Sequence, residues 1–298
     1  MCGIVGVTGT DNSLSILIEG LKRLEYRGYD SAGVYVNDQN GHDYLVKRPG
    51  RISNLEAALT DDVHGLAGIG HTRWATHGEP NEANAHPQYS QDDRFYLVHN
   101  GVIENYAQLK KEYLADVHFA SQTDTEVVVQ LVDKFVVQDQ MTTEAALLKV
   151  LRLISDDSSY AFVLMDREQP DTLYVAKNKS PLLVGLADGY NMVGSDAMSM
   201  IKQTNRFMEI EDHELVIVKP DHVTIKDFSG NEKQRDTFTV DMDENAADKG
   251  TYPYYMLKEI DEQPAVMRKL VQEYFGDDDQ PHIDTSTSLV LEPATTPV

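Results

Sequence analysis

The pattern of apolar and polar positions predicts a protein of many short strands and a few amphipathic helices. Residues Gly3–Thr8 are apolar and rich in β-branched side chains, which predicts a buried strand at the very start of the chain. A helix follows, behind a polar cluster at residues 11–13 that we expect to cap it. Its apolar face has helical spacing and consists of Leu14, Leu17, Ile18, Leu21 and Leu24.

Two more helices are predicted in the middle of the chain. Asp124–Phe135 carries acidic side chains in its first turn, and Thr143–Ile154 opens with a Thr-Glu pair. Runs rich in β-branched and aromatic residues predict strands on both sides of these helices, and Asn100-Gly101 is expected to end one of them in a turn. This order predicts two packed sheets with helices outside them. The strands are expected at 32–36, 44–46, a run leading into Gly70, 95–99, 160–165, 173–176, 182–186, 192–194, 215–218 and 222–225.

The composition changes after Arg235. Residues 1–235 form the predicted first domain, and the acidic segment 236–254 is interpreted as a linker. A helix is predicted from near Tyr255, and we expect Pro264 to start a fresh helix because proline suits a first turn. Residues 255–298 are too few for a core of their own and are interpreted as the start of a truncated second domain. The acidic and then Thr/Ser/Pro-rich end after Gly276 is not expected to continue that domain, so we interpret the chain as a fragment.

Charge and cysteine content exclude several classes of function. The 298 residues are 41% hydrophobic, which is ordinary for a globular protein, but carry a net charge of -23. That charge repels phosphate backbones and anionic lipid, so we expect neither nucleic-acid nor membrane binding. The single cysteine cannot form an intramolecular disulfide and suits a reducing compartment, so we expect a cytoplasmic protein.

Cys2 is the most informative residue in the sequence. Its small side chain favours removal of Met1, and the free α-amine would then share a residue with the thiol. An α-amine has a pKa of about 8, so it can accept the thiol proton near neutral pH. This pairing would make Cys2 an N-terminal nucleophile. The alternative is a small buried side chain at the start of a strand, and Cys2 alone does not decide between the two.

Other residues could supply the further groups that nucleophilic attack on an amide requires, namely oxyanion donors and charged groups that bind the substrate. Asn100-Gly101 could donate to an oxyanion, although Asn-Gly is also the commonest tight turn. Arg73 could bind the carboxylate of a free amino acid and Asp124 its ammonium group; the alternatives are a surface ion pair and a helix N-cap. Trp74 could close over a substrate or pack in the core.

Metal and nucleotide sites are disfavoured. The four histidines His71, His77, His86 and His99 are close in sequence but lack the spacing of a zinc site. Neither a P-loop nor a dinucleotide-binding glycine motif is present. We therefore predict no metal and no cofactor.

Several segments together resemble the class II glutamine amidotransferases. They are residues 1–6, 24–33, 70–78, 84–87, 99–105 and 121–126, in that order along the chain. Within that family, residues 26–33 and 256–264 resemble the branch whose second half is a sugar isomerase that acts on fructose 6-phosphate. The resemblance extends from residue 2 to about Phe275.

The resemblance implies an α+β fold, the four-layer αββα sandwich of two antiparallel sheets found in N-terminal-nucleophile hydrolases. It also implies that L-glutamine is hydrolysed to glutamate and ammonia without a cofactor, by Cys2 as nucleophile and by Asn100 and the Gly101 backbone at the oxyanion. Glutamine would be bound by Arg73, Thr76, His77 and Asp124, under a loop that carries Trp74, while Arg27 would position the N-terminal region. The implied partner is a C-terminal isomerase domain, nearly absent here, in a full-length homodimer. We expect the fragment to lack synthase activity.

Two alternatives stay open. The same glutaminase chemistry could serve another acceptor, as in the phosphoribosylamine, asparagine or glutamate synthases, although residues 256–264 argue against it. A binding or regulatory module could also keep the fold without turnover, although every matched catalytic position is intact.

Overall fold

The computed structural model describes residues 2–38, 40, 42–60, 63–75, 78–241, 252 and 255–275. The chain divides into two compact units, residues 1–248 and residues 249–298. The first unit holds two antiparallel sheets and five α-helices within the described residues, and the second holds one long helix. None of the described helices combines the length and the apolar character that crossing a membrane requires.

The strands of the first unit form one sheet of eight and one of seven. The eight-stranded sheet has the order β15-β11-β9-β10-β1-β4-β2-β3, and the seven-stranded sheet has the order β14-β13-β12-β8-β7-β6-β5. The strands are β1 Gly3–Thr8, β2 Ser31–Asn37, β3 Asp43–Pro49, β4 Ala67–Arg73, β5 Gln88–Tyr89, β6 Phe95–Val102, β7 Ser159–Asp166, β8 Gln169–Asn178, β9 Leu183–Leu186, β10 Asn191–Gly194, β11 Arg206–Glu209, β12 Glu214–Val218, β13 Val223–Asp227, β14 Glu232–Lys233 and β15 Thr237–Thr239.

Helices cover the outer face of each sheet. Short 3-10 turns at Glu25–Arg27 and Ala197–Ser199 complete the first unit. The α-helices are α1 Ser13–Arg23, α2 Ile52–Glu56, α3 Tyr106–Tyr113, α4 Asp124–Val137, α5 Thr143–Leu153 and, in the second unit, α6 Tyr255–Phe275.

Three hydrophobic clusters separate four layers. One cluster joins α1 and α2 to the eight-stranded sheet, a second lies between the sheets, and a third joins α3, α4 and α5 to the seven-stranded sheet. Strand β1 shows why its sequence is apolar throughout: Ile4 faces the other sheet, whereas Val5 and Val7 face α1. The predicted αββα sandwich is confirmed.

Most of the predicted elements are present. The predicted strands and the first four predicted helices fall on β1–β4, β6–β10, β12, β13, α1, α4, α5 and α6. The sequence analysis did not identify α2, α3, β5, β11, β14 or β15. These elements are short or weakly periodic. Most of them have five residues or fewer, which is too short for a period in hydrophobicity to be recognised.

Three local expectations are wrong. Strand β6 does not turn at Asn100-Gly101 but continues to Val102, because β7 pairs with it along its whole length. The polar cluster before α1 provides no side-chain cap: Asn12 is the N-cap residue, but its side chain accepts no capping hydrogen bond. Pro264 lies inside α6 rather than at the start of a new helix. A proline removes only its own backbone donor, and good helix formers such as Glu262 and Ala265 surround it.

The sheet also extends beyond Arg235. Thr237–Thr239, within the segment that its composition assigns to a linker, pairs with β11 as the edge strand β15. The sequence Thr-Phe-Thr alternates polar and apolar residues and has high β-propensity. It can therefore pair at the exposed edge of the sheet even though the segment around it is acidic.

Candidate active site

Cys2 lies immediately before β1, at the amino-terminal end of this central strand of the eight-stranded sheet. Its Sγ accepts a 3.2 Å hydrogen bond from the backbone N–H of Trp74, which follows β4. The two residues meet because β1 pairs with β4, with Gly3 opposite Thr72 and Ile4 opposite His71. The pairing register of two central strands therefore fixes where the thiol lies.

The backbone of Cys2 is held from two sides. Its carbonyl oxygen accepts 3.0 Å hydrogen bonds from Arg27 Nε and from Asn100 Nδ2. The Arg27 guanidinium is buried, and its Nη1 lies 3.9 Å from a carboxylate oxygen of Asp196. Arg27 and Asn100 together restrain the residue that carries the thiol.

Asn100 and Gly101 approach Cys2 from the other sheet. Along β6, Phe95 and Leu97 face the helices, whereas Tyr96 and Val98 face the space between the sheets. The two-residue period places the Asn100 side chain on that inner face. Gly101 has φ of 131°, and a Cβ there would lie 1.9 Å from the Ser159 carbonyl oxygen. Only glycine fits this position in the strand.

The alternation of side chains along β4 also places Arg73 on the face between the two sheets. Ala67 and Ile69 of β4 pack between the sheets, so His71 and Arg73 follow on the same face. The Arg73 side chain is 4% exposed, and its Nη1 and Nη2 lie 3.4 Å from the carbonyl oxygens of Glu79 and Gly78. The alternative of a surface ion pair is therefore wrong.

Asp124 opens α4 and is buried near Arg73. The N-cap of α4 is Thr123, whose side chain accepts from the backbone N–H of Glu126, so Asp124 is not the cap. Its carboxylate instead accepts a 2.8 Å hydrogen bond from the backbone N–H of Ile103. Burial lowers the pKa of Arg73, and the charges of Cys2, Asp124 and Asp30 oppose that shift.

Two cavities meet at Cys2. One, of about 320 Å³, opens beside the thiol, and a small one of about 20 Å³ lies on the side of Arg73 and Asp124. Cys2, Trp74 and Gly101 border both cavities. The larger cavity is further lined by Arg27, Asn100, Val102, Ser159, Ser180 and Pro181, and the smaller one by Arg73, His86, His99, Thr123, Asp124 and Thr125.

Trp74 is a surface residue at the mouth of the site. Its side chain is 45% exposed and meets the Tyr29 ring edge-on with 5.5 Å between centroids, so the alternative of core packing is wrong. The peptide after it is anchored because the N–H of Ala75 donates to Asp30 Oδ2 at 2.9 Å. Thr76 and His77, two further predicted site residues, lie outside the described residues.

The environment of the thiol favours its protonated form. Burial raises the pKa of Cys2, while the N–H of Trp74 and the guanidinium groups of Arg73 and Arg27 oppose the shift. A thiol with a raised pKa needs a base before it can attack an amide near neutral pH.

Sequence reasoning missed two side chains that complete the site. Ser195 Oγ accepts from Asn100 Nδ2 at 3.0 Å and from the backbone N–H of Ile4 at 2.9 Å. Nothing local in the sequence marks Ser195, because its partner Ile4 is 191 residues away. Asp30 could have been found, since it lies within the motif at residues 24–33.

Three of the four clustered histidines are buried together at the site: His86 and His99 line the smaller cavity, and His71 lies beside them. The ring centroids of His71 and His86 lie 4.3 Å apart, and those of His86 and His99 lie 6.5 Å apart. Burial lowers the pKa of all three, to about 3 for His71. Within the described residues, no group of three or more His, Cys, Asp or Glu side chains is arranged to hold a metal ion.

Comparison with known proteins identifies the family. The glutamine amidotransferase domain family matches residues 56–228, more than half of the chain. The chain is 61% identical over 294 residues to a glutamine–fructose-6-phosphate aminotransferase (isomerizing) of Lactiplantibacillus plantarum, and 57% identical over 294 residues to the enzyme of that name from Streptococcus pneumoniae strain R6. These alignments cover 99% of the chain but 48% of each relative, so the chain spans about half the length of the curated relatives it matches. The expectation that the resemblance ends near Phe275 is wrong.

A solved structure gives the same assignment. Glutamine phosphoribosylpyrophosphate amidotransferase from B. subtilis, complexed with ADP and GMP, superposes with a TM-score of 0.67 at 26% identity. The superposition covers 78% of this chain and 50% of that one. The family match, this likeness of fold and the motifs that resemble class II enzymes agree, and the chain belongs to the glutamine amidotransferase domain family.

Proposed function

We propose that this chain hydrolyses L-glutamine to glutamate and ammonia, with Cys2 as the nucleophile. The observation that carries the proposal is the convergence of three groups from distant parts of the sequence on the Cys2 thiol. Cys2 and Gly101 border both of the cavities that meet at Cys2, Asn100 borders the larger one, and Arg73 and Asp124 border the smaller one. They supply a nucleophile, oxyanion donors, a cation and an anion, which is the set that attack on an amino-acid amide requires.

Activation of the thiol is assigned to the α-amine that removal of Met1 would expose. The raised pKa of Cys2 makes a base necessary, and an α-amine with a pKa of about 8 is one. The amine would take the proton from Sγ as Sγ attacks the side-chain amide carbon of glutamine. The buried Arg27, which holds the Cys2 carbonyl oxygen, would keep both groups of this residue in place.

The tetrahedral intermediate would be stabilised by the backbone N–H of Gly101 and by Asn100 Nδ2. Both N–H groups of Nδ2 are donated in the structure, to the Cys2 carbonyl oxygen and to Ser195 Oγ, so one of them would turn to the oxyanion as it forms. As it collapses, the carbon–nitrogen bond breaks, the proton passes from the α-ammonium to the leaving nitrogen, and ammonia departs. The product on Cys2 is a thioester. Water, deprotonated by the same amine, would then attack the thioester to release glutamate and the thiol.

Recognition of the amino-acid end is assigned to Arg73 and Asp124. A guanidinium group can bind the substrate carboxylate with two parallel hydrogen bonds, and the Asp124 carboxylate would bind the ammonium group. Thr76 and His77 are proposed to complete the carboxylate site, and Trp74 to close over it. The half-exposed ring of Trp74 at the mouth suits that role.

For the longer protein, we propose fructose 6-phosphate as the acceptor of ammonia and glucosamine 6-phosphate as the product. The support is the 61% identity to an aminotransferase with that name, against 26% to the phosphoribosylpyrophosphate enzyme. Residues 255–298 would begin the isomerase domain, residues 236–254 would largely form the connection to it, and the full-length protein would be a cytoplasmic homodimer. Amino-sugar synthesis would require that isomerase domain in addition to the proposed glutaminase site.

The test is glutamate release by the purified chain, with the mass of the amino terminus determined first. We expect release from the protein that starts at Cys2, none from Cys2→Ala, and none from protein that retains Met1. Cys2→Ser is a matched control that keeps a hydroxyl in place of the thiol and should be severely impaired. Glutamine binding without release, from a protein with a free Cys2 terminus, would instead identify a binding module.

A further inference from the structure

We propose that His71 is a positioning residue, which orients the Asn100 side chain so that its amide nitrogen faces Cys2. The inference rests on the proposed function, because it concerns the oxyanion donor of that reaction. The inference goes beyond that function because it assigns a role to a buried histidine that lines neither cavity. His71 lies in the eight-stranded sheet, whereas Asn100 lies in the seven-stranded sheet.

The geometry determines which atoms carry hydrogen. His71 Nε2 lies 3.0 Å from the backbone carbonyl oxygen of His99 and 3.0 Å from Asn100 Oδ1. A carbonyl oxygen can only accept, so Nε2 must carry the proton. The same N–H then donates to Asn100 Oδ1, while Nδ1 is unprotonated.

The other end of the Asn100 amide fits this assignment. Nδ2 lies 3.0 Å from the Cys2 carbonyl oxygen and 3.0 Å from Ser195 Oγ. If the amide were flipped, Oδ1 would face the Cys2 carbonyl oxygen and Nδ2 would face the N–H of His71. Both contacts would then be repulsive, so the network admits one orientation of the amide.

The contact between His71 and Asn100 also joins the two sheets at the site. His71 lies in β4, directly opposite Ile4 of the strand that follows Cys2, whereas Asn100 lies in β6 of the seven-stranded sheet. The nucleophile and its oxyanion donor therefore belong to different sheets. The hydrogen bond from His71 to Asn100 joins the two sheets at this point, and so fixes the position of Asn100 relative to Cys2.

His71 itself has little freedom. Its side chain is completely buried, and the His86 ring packs against it, tilted by 32° with 4.3 Å between centroids. Burial holds the pKa of His71 at about 3, so the ring stays neutral and keeps the same single donor throughout the working pH range. A buried neutral ring with its proton on Nε2 can hold the Asn100 amide in one orientation through a single fixed hydrogen bond.

The expected effect of losing this donor falls on catalysis rather than on binding. Without it, Asn100 could rotate and present its oxygen to the developing oxyanion, while Arg73 and Asp124 would bind glutamine as before. Removal of an oxyanion donor typically costs about 10²- to 10³-fold in kcat. Loss of its support should cost less, roughly 10- to 100-fold, with little change in KM.

Two amide substitutions separate positioning from packing. In His71→Gln, the side-chain nitrogen reaches the position of Nε2 and can still donate to Asn100. In His71→Asn, the nitrogen reaches only the position of Nδ1 and leaves Asn100 Oδ1 without its partner. We expect His71→Gln to retain most of kcat and His71→Asn to lose it, with glutamine KM similar in both. Thermal unfolding of each variant reports any difference in stability.

A transition-state analogue and a double mutant complete the test. A glutamine analogue with an aldehyde in place of the amide forms a tetrahedral hemithioacetal with Cys2, and its affinity should fall in His71→Asn while that of glutamate does not. In the background of Asn100→Ala, the change His71→Asn should cost no further activity, because its effect acts through Asn100. A purely structural role would lower both affinities and would remain additive.

Equal kcat in His71→Gln and His71→Asn, or full additivity with Asn100→Ala, would overturn the inference while leaving glutamine hydrolysis intact. Absence of glutamate release from the wild-type chain with a free Cys2 terminus would overturn the proposed function, and the inference with it. If His71→Asn does not fold, the aldehyde-to-glutamate affinity ratio in His71→Gln decides: a ratio like that of the wild type supports the inference, and a lost preference for the aldehyde contradicts it.

Discussion

The Asp124 carboxylate accepts a 2.8 Å hydrogen bond from the backbone N–H of Ile103, two residues after Gly101. The first residue of α4 is thereby tied to the end of the strand that carries the proposed oxyanion donors. The start of α4 consequently determines where the Asp124 carboxylate, the proposed partner of the substrate ammonium group, lies relative to Asn100 and Gly101. Disturbing that helix end should affect the site, whereas disturbing the end of a neighbouring helix should not.

The N-cap of α4 provides this test. The Thr123 side chain accepts from the N–H of Glu126, and the Thr142 side chain caps α5 in the same way through the N–H of Ala145. We expect Thr123→Ala and Thr142→Ala each to lower the free energy of unfolding by about 0.5–2 kcal/mol. Only Thr123→Ala should also raise the KM for glutamine. Urea denaturation and glutaminase kinetics measure the two effects, and an equal rise in KM for both variants would contradict the link between α4 and substrate binding.

Gly101 tests whether the site tolerates a side chain within β6. Gly101→Ala would place a Cβ 1.9 Å from the Ser159 carbonyl oxygen at a φ of 131°. Gly189 is a matched control, since its φ is also positive, at 82°, but no atom of the residues that the structure describes lies within 4 Å of its Cβ position. Gly189→Ala should cost about 1 kcal/mol of stability through backbone strain alone and leave activity unchanged. Gly101→Ala should cost at least about 3 kcal/mol and abolish hydrolysis; urea denaturation that gave equal losses would show that the strand relaxes around the clash.

The elements that follow a regular period were predictable from the sequence. The alternation along β4 is enough to put His71 and Arg73 on one face, and the motifs are enough to suggest Cys2, Asn100 and Asp124. Asn100-Gly101 was misassigned as a turn because a glycine needed for space within a strand has the same local sequence as one needed for a turn. Ser195 could not be predicted at all, since its contacts with Ile4 and Asn100 depend only on how the strands are ordered.

The raised pKa of the Cys2 thiol predicts how its alkylation depends on pH. Burial raises that pKa above its ordinary value of 9.0, so the thiolate fraction should still be increasing at pH 9 in protein that retains Met1. We expect the rate constant for reaction with iodoacetamide to rise continuously from pH 6 to pH 9.5 without a plateau. Because Cys2 is the only cysteine, the reaction can be followed on the whole protein by mass. A plateau below pH 8 would show that the positive charges of Arg73 and Arg27 outweigh burial.

Asp133 of α4 should make stability depend on pH without affecting the active site. Burial and a contact with the Asp92 carboxylate raise the pKa of Asp133 from 3.8 to about 7. Below pH 3.8, Asp133 is protonated in both the folded and the unfolded chain. Between pH 3.8 and about 7 only the unfolded chain releases the proton, so the folded state loses stability as the pH rises. Above about pH 7 the loss is complete, because two carboxylates then face each other in the folded protein.

Asp133→Asn removes this dependence, because an asparagine amide can donate to Asp92 at every pH, as the protonated carboxyl does. We expect the variant to match the wild type at pH 4 and to be more stable by about 1–3 kcal/mol at pH 8, a range that allows for screening by solvent. Urea denaturation at intervals between pH 4 and pH 8 measures the difference. Asp139→Asn is the matched control: Asp139 forms an exposed ion pair with Lys149 at 2.8 Å, so its replacement should change stability little at any pH. A constant difference between Asp133→Asn and the wild type across this range would mean that Asp133 is ionised throughout, and that the contact with Asp92 is not a carboxyl–carboxylate hydrogen bond.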